Sequence, residues 1–161
     1  MRLILYLGKG GVGKSTLVEL FAKQARERGA RVVRIDCRAI APTPGALLDE
    51  LAAALGDALS TVEDAAQKLA SFGDRVVLVL DTSGSMRGPR MTQARNALKY
   101  CLANLGANDR FALINFATTV NKYHENLLPA AKDEIEKAKK WVDALEATGG
   151  TAIDDALAAA L

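Results

Sequence analysis

Residues 76–85 read VVLVLDTSGS, and the reading of this stretch decides the fold. Five apolar residues, Val76 to Leu80, run unbroken into Asp81. An apolar, largely β-branched run without polar alternation predicts a strand buried on both faces of a parallel sheet, here ending at an acid. Polar chemistry begins at once. Asp81, Ser83 and Ser85 form D-x-S-x-S, three oxygen donors within five residues. The acid has two readings: the metal-orienting end of a strand that follows a phosphate-binding loop, or the first member of a hydroxyl-rich Mg²⁺ site.

The phosphate loop stands at the start of the chain. Leu3 to Leu7 is an apolar run, and Gly8 to Thr16 reads GKGGVGKST, which satisfies G-x-x-x-x-G-K-[ST] with Gly8, Gly13, Lys14 and Ser15. The motif lies between a predicted strand and a predicted helix, the context it requires. Its physics implicates Gly8, Lys9, Gly10, Gly11, Val12, Gly13, Lys14, Ser15 and Thr16 as nucleotide-binding residues. Glycines let successive N–H groups curl around a β-phosphate, and the helix beginning near Lys14 aims its positive end at it. Lys14 reaches the β- and γ-oxygens, and Ser15 holds Mg²⁺. The plainer alternative is a glycine turn that only joins strand to helix.

Working outward, Leu17 to Arg28 is a predicted helix with Leu17, Leu20, Phe21 and Ala25 on one face, stopped by Gly29. Arg31 to Ile35 is a second strand, ending at Asp36. Thr43 and Pro44 start a helix striped by Leu47, Leu48, Leu51 and Leu55, and another runs from about Thr61 to Phe72, capped by Ser60 or Thr61. After Asp81, Arg90 to Leu105 reads as a helix with Ala94, Ala97, Leu98, Cys101 and Leu105 inward. Phe111 to Phe116 is a buried strand, and Thr118 to Leu128 suits an edge strand or irregular hairpin. Pro129 to Leu145 reads as a helix with Ile135, Ala138, Val142 and Leu145 facing the core and Lys132, Lys139 and Lys140 solvated. His124 reads as surface and Trp141 as a half-buried anchor.

The runs LGKGGVGKSTL, RGARVVRIDCRAIAPTPGALLDELAAALG and RVVLVLDT, over roughly residues 2–82, resemble the nucleotide-binding domain of bacterial signal-transducing AAA-like ATPases. Lys9 gives the loop a likeness to the ParA and MinD class, whose extra lysine acts across a dimer, but Cys37 and Arg38 follow Asp36 where that class has an acidic pair. In AAA-like ATPases a Glu that polarises water follows the strand-ending acid. Here Thr82, Ser83 and Gly84 take those places, so catalytic residues are not identifiable and binding with weak or absent hydrolysis is expected. Asn121 and Lys122 begin a guanine motif that Tyr123 and His124 do not continue, leaving ATP as the default nucleotide.

From about residue 75 to 161 the resemblance changes. DTSGSMRGPRMTQARNALKYCLANLGANDRFALINFATTV and ALEATGGTAIDDALAAAL resemble the front of a von Willebrand factor A domain. The resemblance implies a metal site of Asp81, Ser83, Ser85 and Thr151, joined in the nucleotide reading by Ser15. Hydroxyl ligands supply oxygen without excess negative charge and leave the cation able to take a partner's carboxylate. That family's second acidic metal residue falls on a strand beyond Leu161.

Composition bounds the rest. The chain has 161 residues, 50% hydrophobic and 25% charged, and a formal net charge of +2, enough for one sizeable core and too nearly neutral to imply a nucleic-acid partner. Cys37 and Cys101 lie in no ligand spacing and suit reduced thiols in a cytoplasmic protein. No segment reads as membrane-spanning.

The expected fold is a three-layer, doubly wound, mostly parallel α/β sheet of P-loop or Rossmann-like type, with about five parallel strands. It forms a single domain over 1–161, a P-loop half (1–80) and an A-domain half (81–161), read either as a chimera of two such folds or as a fragment. The expected function is binding of Mg²⁺ and a nucleoside triphosphate. The alternatives are a metal-dependent module for an acidic protein partner and an engineered scaffold without a tight ligand.

Overall fold

The computed structural model describes residues 2–8, 14–36, 46, 49, 52–53, 61, 64, 68, 74–150 and 153–160. Strand β1 (Arg2–Gly8) leads to helix α1 (Lys14–Glu27), and β2 is Ala30–Asp36. Strand β3 (Arg75–Asp81) is followed by a 3₁₀ turn (Gly84–Met86), α2 (Pro89–Ala103) and β4 (Arg110–Phe116). Two short strands, β5 (Val120–Lys122) and β6 (Leu128–Pro129), precede α3 (Lys132–Ala144) and α4 (Ile153–Ala160).

The sheet order is β2-β1-β3-β4-β5, with β6 also on β4. Strands β2, β1, β3 and β4 are parallel, while β5 and β6 are antiparallel to β4. Among the described residues four strands are therefore parallel, not about five. The segment after β4 folds back on the strand it has left, β5 against Ile114–Phe116 and β6 against Arg110 and Phe111. The result is a mixed α/β fold with a largely parallel sheet.

Strand β3 is central because its sequence is apolar on both faces. All its residues after Arg75 are buried. Val76, Leu78 and Leu80 pack with Met91, Ala94 and Leu98 of α2 and Ile135, Ala138 and Val142 of α3. On the other face Val77 and Val79 pack with Ile4, Tyr6, Ala25 of α1, and Ala156 and Ala160 of α4. Each large side chain so buried contributes about 1.5–3 kcal/mol.

Local signals set the helix ends. Gly29, at φ 76°, closes α1 in the left-handed region. Gly88 adopts φ 76° as N-cap of α2, with Pro89 in the first turn. Thr61 and Asp64 form a reciprocal box: Thr61 N–H donates to Asp64 Oδ2 at 2.9 Å, and Asp64 N–H to Thr61 Oγ1 at 3.0 Å. Ala46, Asp49, Ala52, Ala53, Asp64 and Lys68 are helical, whereas the leucine stripe expected at 47, 48, 51 and 55, and Thr43 and Pro44, lie outside the described residues.

Other expectations are corrected. Leu20 does not join the inward face of α1, being 54% exposed; Ala25 is buried as expected, and Ala22 is buried with it. Pro129 does not begin a helix but pairs in β6, and the adjacent Ala130 N–H donates to Asp109 O at 2.9 Å, so α3 starts only at Lys132. Helix α2 ends at Ala103, which leaves Leu105 partly buried beyond it.

Candidate functional site

Strand β1 has β2 on one side and β3 on the other, so the chain reverses its progress across the sheet between β1 and β3. In open α/β sheets ligands gather at the carboxyl ends beside such a reversal. Gly8 and Asp81 end these two strands. A Cβ built on Gly8 would lie 2.9 Å from Asp81 Cβ and 2.6 Å from the Tyr6 hydroxyl, so only glycine fits there. The phosphate reading assigned Gly8 to a ligand; packing against Asp81 gives it an independent reason.

Asp81 is fully buried, and its Oδ1 accepts the Ser83 N–H at 2.8 Å. Ser83 Oγ and Ser85 Oγ share a hydrogen bond at 3.1 Å. Met86, fully buried, anchors the 3₁₀ turn in the core beneath these hydroxyls.

Thr82, the residue between Asp81 and Ser83, ties the loop to its surroundings. Its N–H donates to Phe116 O at 2.8 Å and its hydroxyl to the same oxygen at 2.9 Å. Asn115 Nδ2 donates to Thr82 Oγ1 at 3.0 Å, and Thr82 O accepts from Thr148 N–H at 2.9 Å. The loop after α3 is fastened at two further points. Gly84 N–H donates to Gly149 O at 3.1 Å, and Gly150 N–H donates to Thr118 Oγ1 at 2.8 Å. Gly149 has φ 64°, and a Cβ there would run into Thr118 Oγ1. Three loops, 82–88, 117–119 and 145–150, thus converge on the end of β3.

The expected site residues separate accordingly. Asp81, Ser83 and Ser85 come together, and Gly8 joins them from the neighbouring strand. Lys14, Ser15 and Thr16 open α1. Lys9, Gly10, Gly11, Val12, Gly13 and Thr151 lie outside the described residues, although the loop leading to Thr151 is fastened beside Gly84. Sequence reasoning missed Asn115 and Thr118; a polar residue near the end of FALINF was the one available signal for the first.

The donor set fits a hard divalent cation. Octahedral coordination at about 2.0–2.1 Å places adjacent oxygens about 3 Å apart, the spacing Ser83 Oγ and Ser85 Oγ already have. Among the described residues no group of three or more His, Cys, Asp or Glu side chains could hold a metal, so a carboxylate-rich or thiolate centre is not what these residues build. Cys101 is buried in the core, and burial pushes its thiol up to about 12, which leaves it protonated and unreactive. His124 is exposed, as expected, with its Nδ1 within 3.1 Å of the Asn126 N–H that donates to it.

Comparison with known proteins finds both family resemblances. Residues 74–161 match the von Willebrand factor type A domain, and residues 2–116 match the AAA ATPase domain, the two matches sharing β3 and β4. The chain is 38% identical over 93 residues to human inter-alpha-trypsin inhibitor heavy chain H4, covering 58% of this chain and 10% of that one. It is 35% identical over 86 residues to human heavy chain H2, covering 53% of this chain and 9% of that one. It therefore spans about a tenth of the length of the curated relatives it matches. An uncharacterized protein from Alicyclobacillus acidocaldarius has a similar fold, with a TM-score of 0.55 and 18% identity over 99% of this chain and 92% of that one. The expectation of a cytoplasmic protein is overturned, because the inter-alpha-trypsin inhibitor heavy chains it matches are secreted, extracellular proteins. No helix among the described residues is long and apolar enough to cross a membrane. With D-x-S-x-S closing β3, and that strand shared with the strand–loop–helix of the first half, the chain belongs to the von Willebrand factor type A domain family over residues 74–161 and to the AAA ATPase domain family over residues 2–116.

Proposed function

We propose that the chain is a metal-dependent protein-binding module of the von Willebrand A kind, in which Asp81, Ser83, Ser85 and Thr151 hold Mg²⁺ for a partner's carboxylate. The observation that carries this reading is the 3.1 Å spacing of Ser83 Oγ and Ser85 Oγ beside a buried Asp81 whose carboxylate is fixed by the Ser83 N–H. Bound Mg²⁺ supplies a Lewis-acidic position for an outside carboxylate. The protein's part is orientation: Thr82, pinned to Phe116 O, prevents the hydroxyls from turning away, and the loop at Gly149 closes the site from one side. Calorimetry with glutarate as a carboxylate probe tests it. Glutarate binds in Mg²⁺ and not in EDTA, and Asp81→Ala abolishes the difference; equal heats in both buffers overturn the reading.

A second reading is favoured by the AAA ATPase match and by the position of Gly8 beside Asp81. In it GKGGVGKST binds a Mg²⁺ nucleoside triphosphate, ATP by default, with Ser15 and Asp81 serving one hydrated ion. Hydrolysis is weak or absent because Thr82, Ser83 and Gly84 offer no general base after Asp81. Both readings place residues 1–80 and 81–161 in one doubly wound domain. ATP with Mg²⁺ binding to the native chain and not to Lys14→Ala supports this reading, and equal heats for the two proteins remove it.

A further inference from the structure

We infer that Arg87 and Arg90 form a basic rim on the Asp81 site that selects an acidic peptide, one whose further carboxylates pair with guanidinium groups beside the metal-bound one. This rests on the metal-dependent reading above. Arg90 donates from one Nη to Ser85 O at 3.1 Å, and Arg87 Nε donates to Ala147 O at 3.3 Å. The two side chains therefore lie against the two loops that frame the site, 82–88 and 145–150. Both residues are exposed, and among the described residues neither makes an ion pair.

Arg90 is poorly placed for the fold alone. Arg90 lies in the first turn of α2, which contains no acidic residue, so its charge meets the positive end of the helix dipole with nothing to offset it. Helix α3 shows the ordinary arrangement, with Asp133 and Glu134 in its first turn. Among the described residues each guanidinium makes one hydrogen bond, to a backbone carbonyl, and has further donors in the planar fork that matches a carboxylate. Glu146 is the one acid of the 145–150 loop and is exposed. The chain's net charge is only +2, and a local pair of arginines suits a short acidic segment.

Hexaglutamate and glutarate, titrated in Mg²⁺ and in EDTA, test the inference. The native chain binds hexaglutamate at least about tenfold more tightly than glutarate in Mg²⁺, a factor ordinary for added charge-assisted pairs. Arg87→Gln with Arg90→Gln reduces hexaglutamate to the level of glutarate, while Lys132→Gln with Lys140→Gln, equal in charge and placed on α3, leaves it unchanged. The inference is overturned if the arginine pair has no effect, if the lysine pair has as large an effect, or if a short oligonucleotide binds as tightly as hexaglutamate. Failure of the underlying reading looks different: Asp81→Ala then binds both probes as the native chain does, whatever the arginines do.

Discussion

Gly8 and Asp81 end adjacent parallel strands so closely that a side chain on one has no room beside the other: a Cβ on Gly8 would sit 2.9 Å from Asp81 Cβ. This contact sets the end of β1 against the end of β3, the strand that both family matches include. It also separates two explanations of a glycine that opens a phosphate loop. Gly8→Ala forces Asp81 or the buried Tyr6 ring to shift and costs about 1–3 kcal/mol of stability, as overpacking does. The loss is present in thermal melts without nucleotide or metal. An unchanged melting temperature in those melts means that Gly8 serves a ligand alone.

Gly149 and Gly29 both adopt positive φ, 64° and 76°, but only Gly149 lacks space for a side chain. Gly29→Ala should cost about 1–2 kcal/mol, the strain of a Cβ in the left-handed region alone. Gly149→Ala adds the collision with Thr118 and should cost clearly more, about 2–4 kcal/mol. Urea titration of the two variants checks the difference, and equal losses contradict the packing of loop 145–150 on loop 117–119.

Thr82 is the buried link between the 82–88 loop and β4. Thr82→Val keeps the shape but strips Asn115 Nδ2 of its acceptor and Phe116 O of a donor. Phe116 O keeps the Thr82 N–H, so the group left unsatisfied is the buried Asn115 amide, at a cost of about 1–3 kcal/mol. In a double-mutant cycle with Asn115→Ala the two losses are not additive, with a coupling of about 0.5–3 kcal/mol. Additive losses would show that the hydrogen bond contributes nothing.

Tyr123 donates to Glu134 Oε1 at 2.8 Å, and its ring lies 5.4 Å from Trp141. Burial first, then the hydrogen bond to Glu134 and its negative charge, push the phenol up to about 12 from an ordinary value of 10. The folded state therefore holds this proton more tightly than the unfolded chain does. The stabilisation is complete below pH 10 and is lost as pH rises from 10 through about 12. Tyr123→Phe flattens this alkaline loss in melts followed across that window; a wild-type slope in the variant contradicts it.

Much of this architecture is legible in the residues themselves. The run VVLVL states its burial on both faces, and FALINF does nearly the same, so β3 and β4 are placed almost to the residue. Gly29 and the Thr61–Asp64 box act within a turn of their own position and are equally readable. Strand order is not written locally, because nothing in LILYL says that β3 and β2 flank it. Pro129 looked like a helix start since it suits a first turn, but pairing with Arg110 captured it for β6. Leu20 was misplaced because its periodicity reports a face of α1, and which face meets the sheet is a tertiary outcome. At the end of β3, D-x-S-x-S is readable as a motif, and the structure brings its three side chains together. The struts that hold them, Asn115 and Thr118, act across 33 and 32 residues of sequence and leave no short motif.

The most direct measurement is Mn²⁺ binding, as a paramagnetic substitute for Mg²⁺, followed by electron paramagnetic resonance on the native chain and on the Asp81→Ala and Ser83→Ala/Ser85→Ala variants. The account predicts one bound Mn²⁺ per native chain, displaced by Mg²⁺, absent from Asp81→Ala and weakened at least about tenfold when both serine hydroxyls are removed. A native chain that leaves all Mn²⁺ free, or an Asp81→Ala chain that binds it as well as the native one, would contradict the account.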